Sequence, residues 1–315
     1  MTQQTAYPAA DGLVRVYPAD AAAARPTVAL VWVHGGGFAA GDLDMPEADW
    51  VARTLASRGV TVVSVDYRLV GDGCRYPAPS DDVITAWRWT LEHADEFGID
   101  PDRVVLGGAS AGGNLATGSI LRMLARTAEP TRAIIDSAGG APAPGATPEV
   151  AQETRAPSAK LDAVPAGVFL AYPTLLAVQP APDAALRAML DAHPEADTFG
   201  PASVREMYER YLGGAVDDAP LPAVPGRAAA SDLTGFPPVL MVNSEVDELR
   251  VSGEAFAATL AAAGVPTEVV TESGTRHGHL NRPDEAAASA TINRVVRWLA
   301  GLETAAGGPP DQQTI

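Results

Sequence analysis

The chain has 315 residues, 47% of them hydrophobic, which is enough to bury a large core, and α/β folds of this length commonly remain one domain. Asp and Glu outnumber Lys and Arg by 39 to 22, and the resulting formal charge of −17 would repel a phosphate backbone or an anionic membrane, which argues against nucleic acid as a partner. Residues 1–11 lack the basic and apolar regions of a secretory signal, no apolar run approaches the ~18 residues of a membrane span, and the single Cys74 excludes an internal disulfide, so the expectation is a cytoplasmic protein without membrane insertion.

Val-rich runs alternate with helical patterns along the chain, the signature of a mostly parallel sheet covered on both faces. The expected strands are Leu13–Tyr17, Thr27–Val33, Val60–Val65, Arg103–Gly107, Gly167–Ala171, Pro238–Asn243 and Thr267–Thr271. Between them, apolar residues at three- and four-residue spacing predict helices over Pro79–Phe97, Ala111–Arg126, Pro201–Leu212, Val251–Ala263 and Asp284–Leu302. Two stretches break the rhythm. Ala138–Pro165 is dense in Ala, Pro, Gly and Thr and reads as a surface excursion, whereas Leu175–Gly226 holds helical segments framed by prolines. The position of the second stretch, after the strand ending near Ala171, places it over the C-terminal sheet edge as a cap or lid insertion. Thr304–Ile315 is small and polar and reads as a tail. The organisation expected is one domain over 1–315.

Chemistry concentrates at four points. His34-Gly35-Gly36-Gly37 follows an early strand and offers backbone N–H groups. Gly108-Ala109-Ser110-Ala111-Gly112 has the G-x-S-x-G form of a nucleophile elbow between a strand and a helix, where glycines relieve the steric conflict of a sharp turn. Asp247 and His277 follow, each just beyond a strand, so all of these residues fall on one sheet edge. The order Ser, acid, His, preceded by a glycine loop, is that of α/β hydrolases and differs from the orders of other serine protease folds. In this reading Ser110 is the nucleophile, and His277 is its base because imidazole titrates near working pH. Asp247 holds the imidazole tautomer, and the N–H groups of Gly36, Gly37 and Ala111 hold the oxyanion. Glu245 and Glu248 compete with Asp247, and His279 competes with His277. His34 reads as a structural support of the glycine loop, and His93 and His193 as solvated side chains. Cys74 reads as a structural thiol, and no Cys/His cluster has zinc-ligand spacing, so no metal site is expected.

Further blocks extend this pattern: Asp66-Tyr67-Arg68-Leu69, Tyr76-Pro77-Ala78-Pro79 with Asp81-Asp82, Gly98-Ile99-Asp100-Pro101, Tyr172-Pro173, Phe236-Pro237-Pro238 and His277-Gly278. With the motifs above, they make the chain resemble the hormone-sensitive-lipase-like branch of α/β hydrolases, the bacterial family IV esterases, over roughly residues 13–128 and 167–302. The resemblance implies an α/β-hydrolase fold, a Ser110–His277–Asp247 triad, a small-molecule ester of a short to medium acyl chain as substrate, no cofactor, and a homodimer paired through the last strand and helix. An amidase or formamidase would use the same residues, and a non-catalytic binding protein on this fold is a further alternative. Two positions depart from the family pattern. Ala109 stands where relatives carry Asp or Thr, and Asp247-Glu248-Leu249 stands where they show Asp-Pro-Leu. Relatives also place a helical cap before the glycine loop, whereas Leu13–Val33 here is assigned to strands, so a reduced N-terminal cap and a more open site are expected.

Overall fold

A computed structural model describes residues 5–137 and 163–306. Eight strands form one sheet in the order β1-β2-β4-β3-β5-β6-β7-β8. They are β1 (Tyr7–Ala9), β2 (Val14–Tyr17), β3 (Thr27–Val33), β4 (Thr61–Val65), β5 (Ile99–Ala109), β6 (Val168–Ala171), β7 (Val239–Val246) and β8 (Thr267–Arg276). The first two pair antiparallel at one edge, and from β4 to β8 every pairing is parallel. All seven residues of β3 are buried, because successive side chains enter opposite cores. Ala29, Val31 and Val33 join one core, and Val28, Leu30 and Trp32 join the other.

Helices cover both faces. The Ala29 side receives α2 (Ala78–Glu92) through Val83 and Trp87, and α4 (Ala111–Ser137) through Leu115 and Ile120. On the Trp32 side lie α1 (Asp49–Ala56), through Val51 and Leu55, and the last helix, Ala286–Ala306, through Ile292, Val295 and Leu299. A bidentate pair between the Arg68 guanidinium and the Asp82 carboxylate, with N···O distances of 2.8 Å, ties the loop after β4 to α2.

The elements differ from the sequence expectation mainly at their ends. The eight-residue α1 was not anticipated, being shorter than the window over which helical periodicity shows. The helix expected over Pro79–Phe97 breaks at His93 into α2 and a single turn, α3 (Ala94–Phe97). Strand β5 starts at Ile99, which pairs with Thr27 before residues 100–103 bulge out and pairing resumes at Ala29 and Val104. Helix α4 runs past Arg126 to Ser137, while residues 138–162 of the expected surface excursion and 307–315 of the tail lie outside the described residues. Before His34 the described residues form β1, β2, β3 and a short 3-10 turn, and no helix stands over the sheet edge there.

Candidate active site

Strand register brings the separate motifs together. Val33 pairs with Gly108, so the glycine loop leaving β3 emerges beside the turn leaving β5. At the other side of the site Val246 pairs with Arg276, which sends Asp247 and His277 out as neighbours. Strands β4 and β5 flank β3, so the chain reverses its direction of travel across the sheet at β3, and such a switch point opens a crevice at the strands' carboxyl ends.

Ser110 sits in the turn between β5 and α4 with φ at 51°, in the left-handed region that a non-glycine residue enters only when its surroundings hold it there. Its N–H donates to the Ala171 carbonyl at 2.9 Å, and its carbonyl accepts from Thr174 N at 3.2 Å. The flanking glycines are sterically required. A Cβ on Gly108 would stand 2.3 Å from the Gly112 carbonyl carbon, and one on Gly112 would stand 2.1 Å from the Val33 oxygen.

A hydrogen-bonded relay runs through this turn. His277 Nε2 lies 2.9 Å from Ser110 Oγ, and His277 Nδ1 lies 2.7 Å from Asp247 Oδ2. Asp247 is fully buried, and its other oxygen accepts the Leu249 N–H at 3.0 Å. The arrangement lets a hydroxyl proton move to imidazole while a buried carboxylate holds the ring. The glycine loop approaches closely: a Cβ on Gly35 would stand 3.1 Å from Ser110 Cβ. Among the described residues, neither Gly36 nor Gly37 commits its N–H to a hydrogen bond, and Ala111 opens α4 directly after Ser110.

The competing side chains are occupied elsewhere. Glu245 accepts the Gly274 N–H at 2.7 Å, and Glu248 points into a setting where burial, and then the neighbouring Asp197, raise its carboxyl above the usual carboxylate range. His279 is buried between Ser244 Oγ at 3.0 Å and Thr291 Oγ1 at 2.9 Å, and burial pushes its pKa down to about 3, so it stays neutral. His34 stacks on Tyr67 with ring centroids 4.5 Å apart, behind the glycine loop. Cys74 is a half-buried free thiol. No group of three or more His, Cys, Asp and Glu among the described residues is placed to hold a metal ion.

Sequence reasoning missed several neighbours. The segment 175–226 contributes α5 (Ala184–Ala192) and α6 (Pro201–Leu212), with the Phe199 ring 4.4 Å from that of His277. Met207 stands where a Cβ on Gly37 would meet its sulfur at 3.4 Å. Tyr208 accepts from Asn114 Nδ2 at 2.9 Å, and Tyr211 stacks on Phe38 at 4.0 Å. Glu47 and Tyr172 are buried behind the glycine loop. In the sequence most of these residues look like ordinary helix faces and loop polars; the expected cap over 175–226, the helical spacing of 201–212 and the Tyr172-Pro173 block are the signals it carries.

A family model described as alpha/beta hydrolase fold matches residues 30–281. Carboxylesterase NlhH of Mycobacterium tuberculosis is 34% identical over 88% of this chain and 73% of its own length, and Esterase LipI of the same organism is 32% identical over 80% and 65%. Among solved structures, a bacterial heroin esterase superposes with a TM-score of 0.66 at 28% identity, over 95% of this chain and 83% of that one. Esterase LipW from Mycobacterium marinum superposes at 0.67 and 27%, over 95% and 80%. The chain therefore belongs to the α/β-hydrolase fold family, in its hormone-sensitive-lipase-like esterase branch.

Proposed function

We propose that the protein hydrolyses carboxylic esters of short to medium acyl chains through an acyl-enzyme. The observation that carries this reading is the continuous relay from Ser110 Oγ through His277 to buried Asp247. Ser110 attacks the ester carbonyl as its proton passes to His277 Nε2. The carbonyl oxygen becomes an oxyanion facing the N–H groups of Gly36, Gly37 and Ala111, each worth about 2.7–4 kcal/mol in such sites. Collapse expels the alcohol, which takes the proton from His277. Water then enters and attacks the acyl carbonyl as its proton passes to the same imidazole, and the second tetrahedral adduct collapses to the acid as His277 returns that proton to Ser110 Oγ. Phe199 and Met207 crowd the histidine and the glycine loop from the covering segment, which favours small acyl groups.

The test is the initial rate on p-nitrophenyl esters from acetate to decanoate, for the native chain beside Ser110→Ala, with the p-nitroanilides of the same acids. Turnover of the shorter esters that is lost in the variant is expected, with the anilides slower. Preference for anilides would replace the esterase with an amidase, and absence of Ser110-dependent turnover on any of them would overturn the hydrolytic reading.

A further inference from the structure

Glu47 is a buried acid that this scheme leaves unused. It lies in the loop between β3 and α1 and is only 2% exposed. Its Oε1 accepts the Gly35 N–H at 2.6 Å, while its Oε2 accepts the Tyr172 hydroxyl at 2.5 Å and the Asn281 side-chain amide at 3.1 Å. The main chain of the same residue is pinned as well. Its N–H donates to Asn281 Oδ1 at 3.1 Å, and its carbonyl accepts the Trp32 indole at 2.8 Å.

These donors come from three separate pieces of the site. Gly35 belongs to the glycine loop, Tyr172 directly follows β6 beside the nucleophile turn, and Asn281 closes the turn that follows His277. Tyr172 in addition sets its ring edge-on to His277, with centroids 5.1 Å apart. We infer that Glu47 is a positioning residue, resting on the esterase reading above: its carboxylate fixes the oxyanion loop against the nucleophile and histidine loops, so that the loop amides and His277 address one carbonyl.

The chemistry of the contacts requires a carboxylate. The three groups that meet its side chain, one backbone N–H and two side-chain donors, all donate, and a carboxylate is acceptor-only when ionised, whereas an amide would turn its own NH2 toward one of them. Among the described residues no Lys or Arg forms an ion pair with Glu47, so neutral donors alone stabilise a group that is costly to bury. Burial, and then the Glu47 charge itself, push the Tyr172 phenol well above its ordinary value, which keeps its proton available to donate. Close approach also explains the first glycine of the loop, because a Cβ on Gly35 would stand 2.7 Å from Glu47 Oε1.

The experiment compares the native chain with Glu47→Gln, Tyr172→Phe and Ser110→Ala, measuring kcat and KM on p-nitrophenyl acetate, the inhibition constant of an alkyl trifluoromethyl ketone, and the thermal midpoint. Positioning predicts that Glu47→Gln lowers kcat by about 10- to 100-fold with KM within about twofold, as misplaced reacting groups do. Affinity for the ketone, which forms a tetrahedral adduct, falls by the same factor. Tyr172→Phe, which removes one donor and keeps the ring, shows a smaller loss in the same direction and supplies the test if Glu47→Gln does not fold. A lowered midpoint with kcat and ketone affinity unchanged in the folded variants would make Glu47 a structural residue and overturn the inference. Absence of Ser110-dependent turnover in the native chain would instead sink the esterase reading itself.

Discussion

The platform beneath the site and the segment that covers it are built on different rules. The platform hangs on strand register and on backbone that only certain residues tolerate: Val33 beside Gly108, Val246 beside Arg276, Ser110 in the left-handed region between two indispensable glycines. The covering segment meets the platform through ordinary side-chain packing, with Phe199 of the link between α5 and α6 against His277 and Tyr211 of α6 against Phe38. The chemistry is therefore constrained by geometry that few sequences satisfy, while the shape of the substrate space rests on apolar contacts that many residues could make.

This contrast can be broken most directly at the platform. Ser110→Ala is expected to lower kcat/KM on p-nitrophenyl acetate by at least about 10⁴-fold, with Asp247→Asn close behind because the imidazole tautomer loses its holder. Residual turnover within tenfold of native in either variant would detach the relay from the reaction. Gly112→Ala should cost ~4 kcal/mol or prevent folding, since its Cβ would stand 2.1 Å from a strand carbonyl that cannot move away. Urea denaturation reads this, and a native-like midpoint would show that the elbow is less tightly built than described.

The covering segment should respond more mildly. Phe199→Ala and Met207→Ala are expected to shift the ratio of kcat/KM between acetate and hexanoate esters by about 10-fold while leaving the fold intact. An unchanged chain-length profile would move the acyl space elsewhere. The smallest effect concerns His279, whose pKa is about 3 in the fold against about 6.5 when unfolded. The unfolded state binds the extra proton between these values. The stability contributed by keeping this imidazole neutral is thus complete above pH 6.5 and is lost as pH falls toward 3. Urea midpoints measured from pH 7.5 to 4.5 should decline less steeply for His279→Gln than for the native chain.

Legibility in the sequence follows the same division. Gly108, Ser110 and Gly112 were readable because their backbone conformation demands particular residues at fixed spacing, and Asp247 and His277 because each lies just beyond a strand pattern rich in Val or Thr, although the strands themselves run on to Val246 and Arg276. The sheet was readable from β3, β4 and β7, whose buried runs leave little ambiguity. Glu47 was not, because one acid among Asp42, Asp44 and Asp49 looks like a solvated turn residue, and its side-chain donors lie far along the chain at Tyr172 and Asn281. Phe199 and Met207 were missed for a related reason. The role of Met207 depends on which helix face meets the glycine loop, that of Phe199 on how the link between α5 and α6 folds, and periodicity alone says neither.

In the proposed reaction Ser110 is the nucleophile that the relay activates, and covalent labelling tests this directly. Intact-mass and peptide-mass analysis of the native chain after treatment with a p-nitrophenyl alkylphosphonate should show one adduct, located on Ser110, absent in Ser110→Ala and slower to form in Asp247→Asn. An adduct on another residue, or equal labelling of Ser110→Ala, would contradict the account.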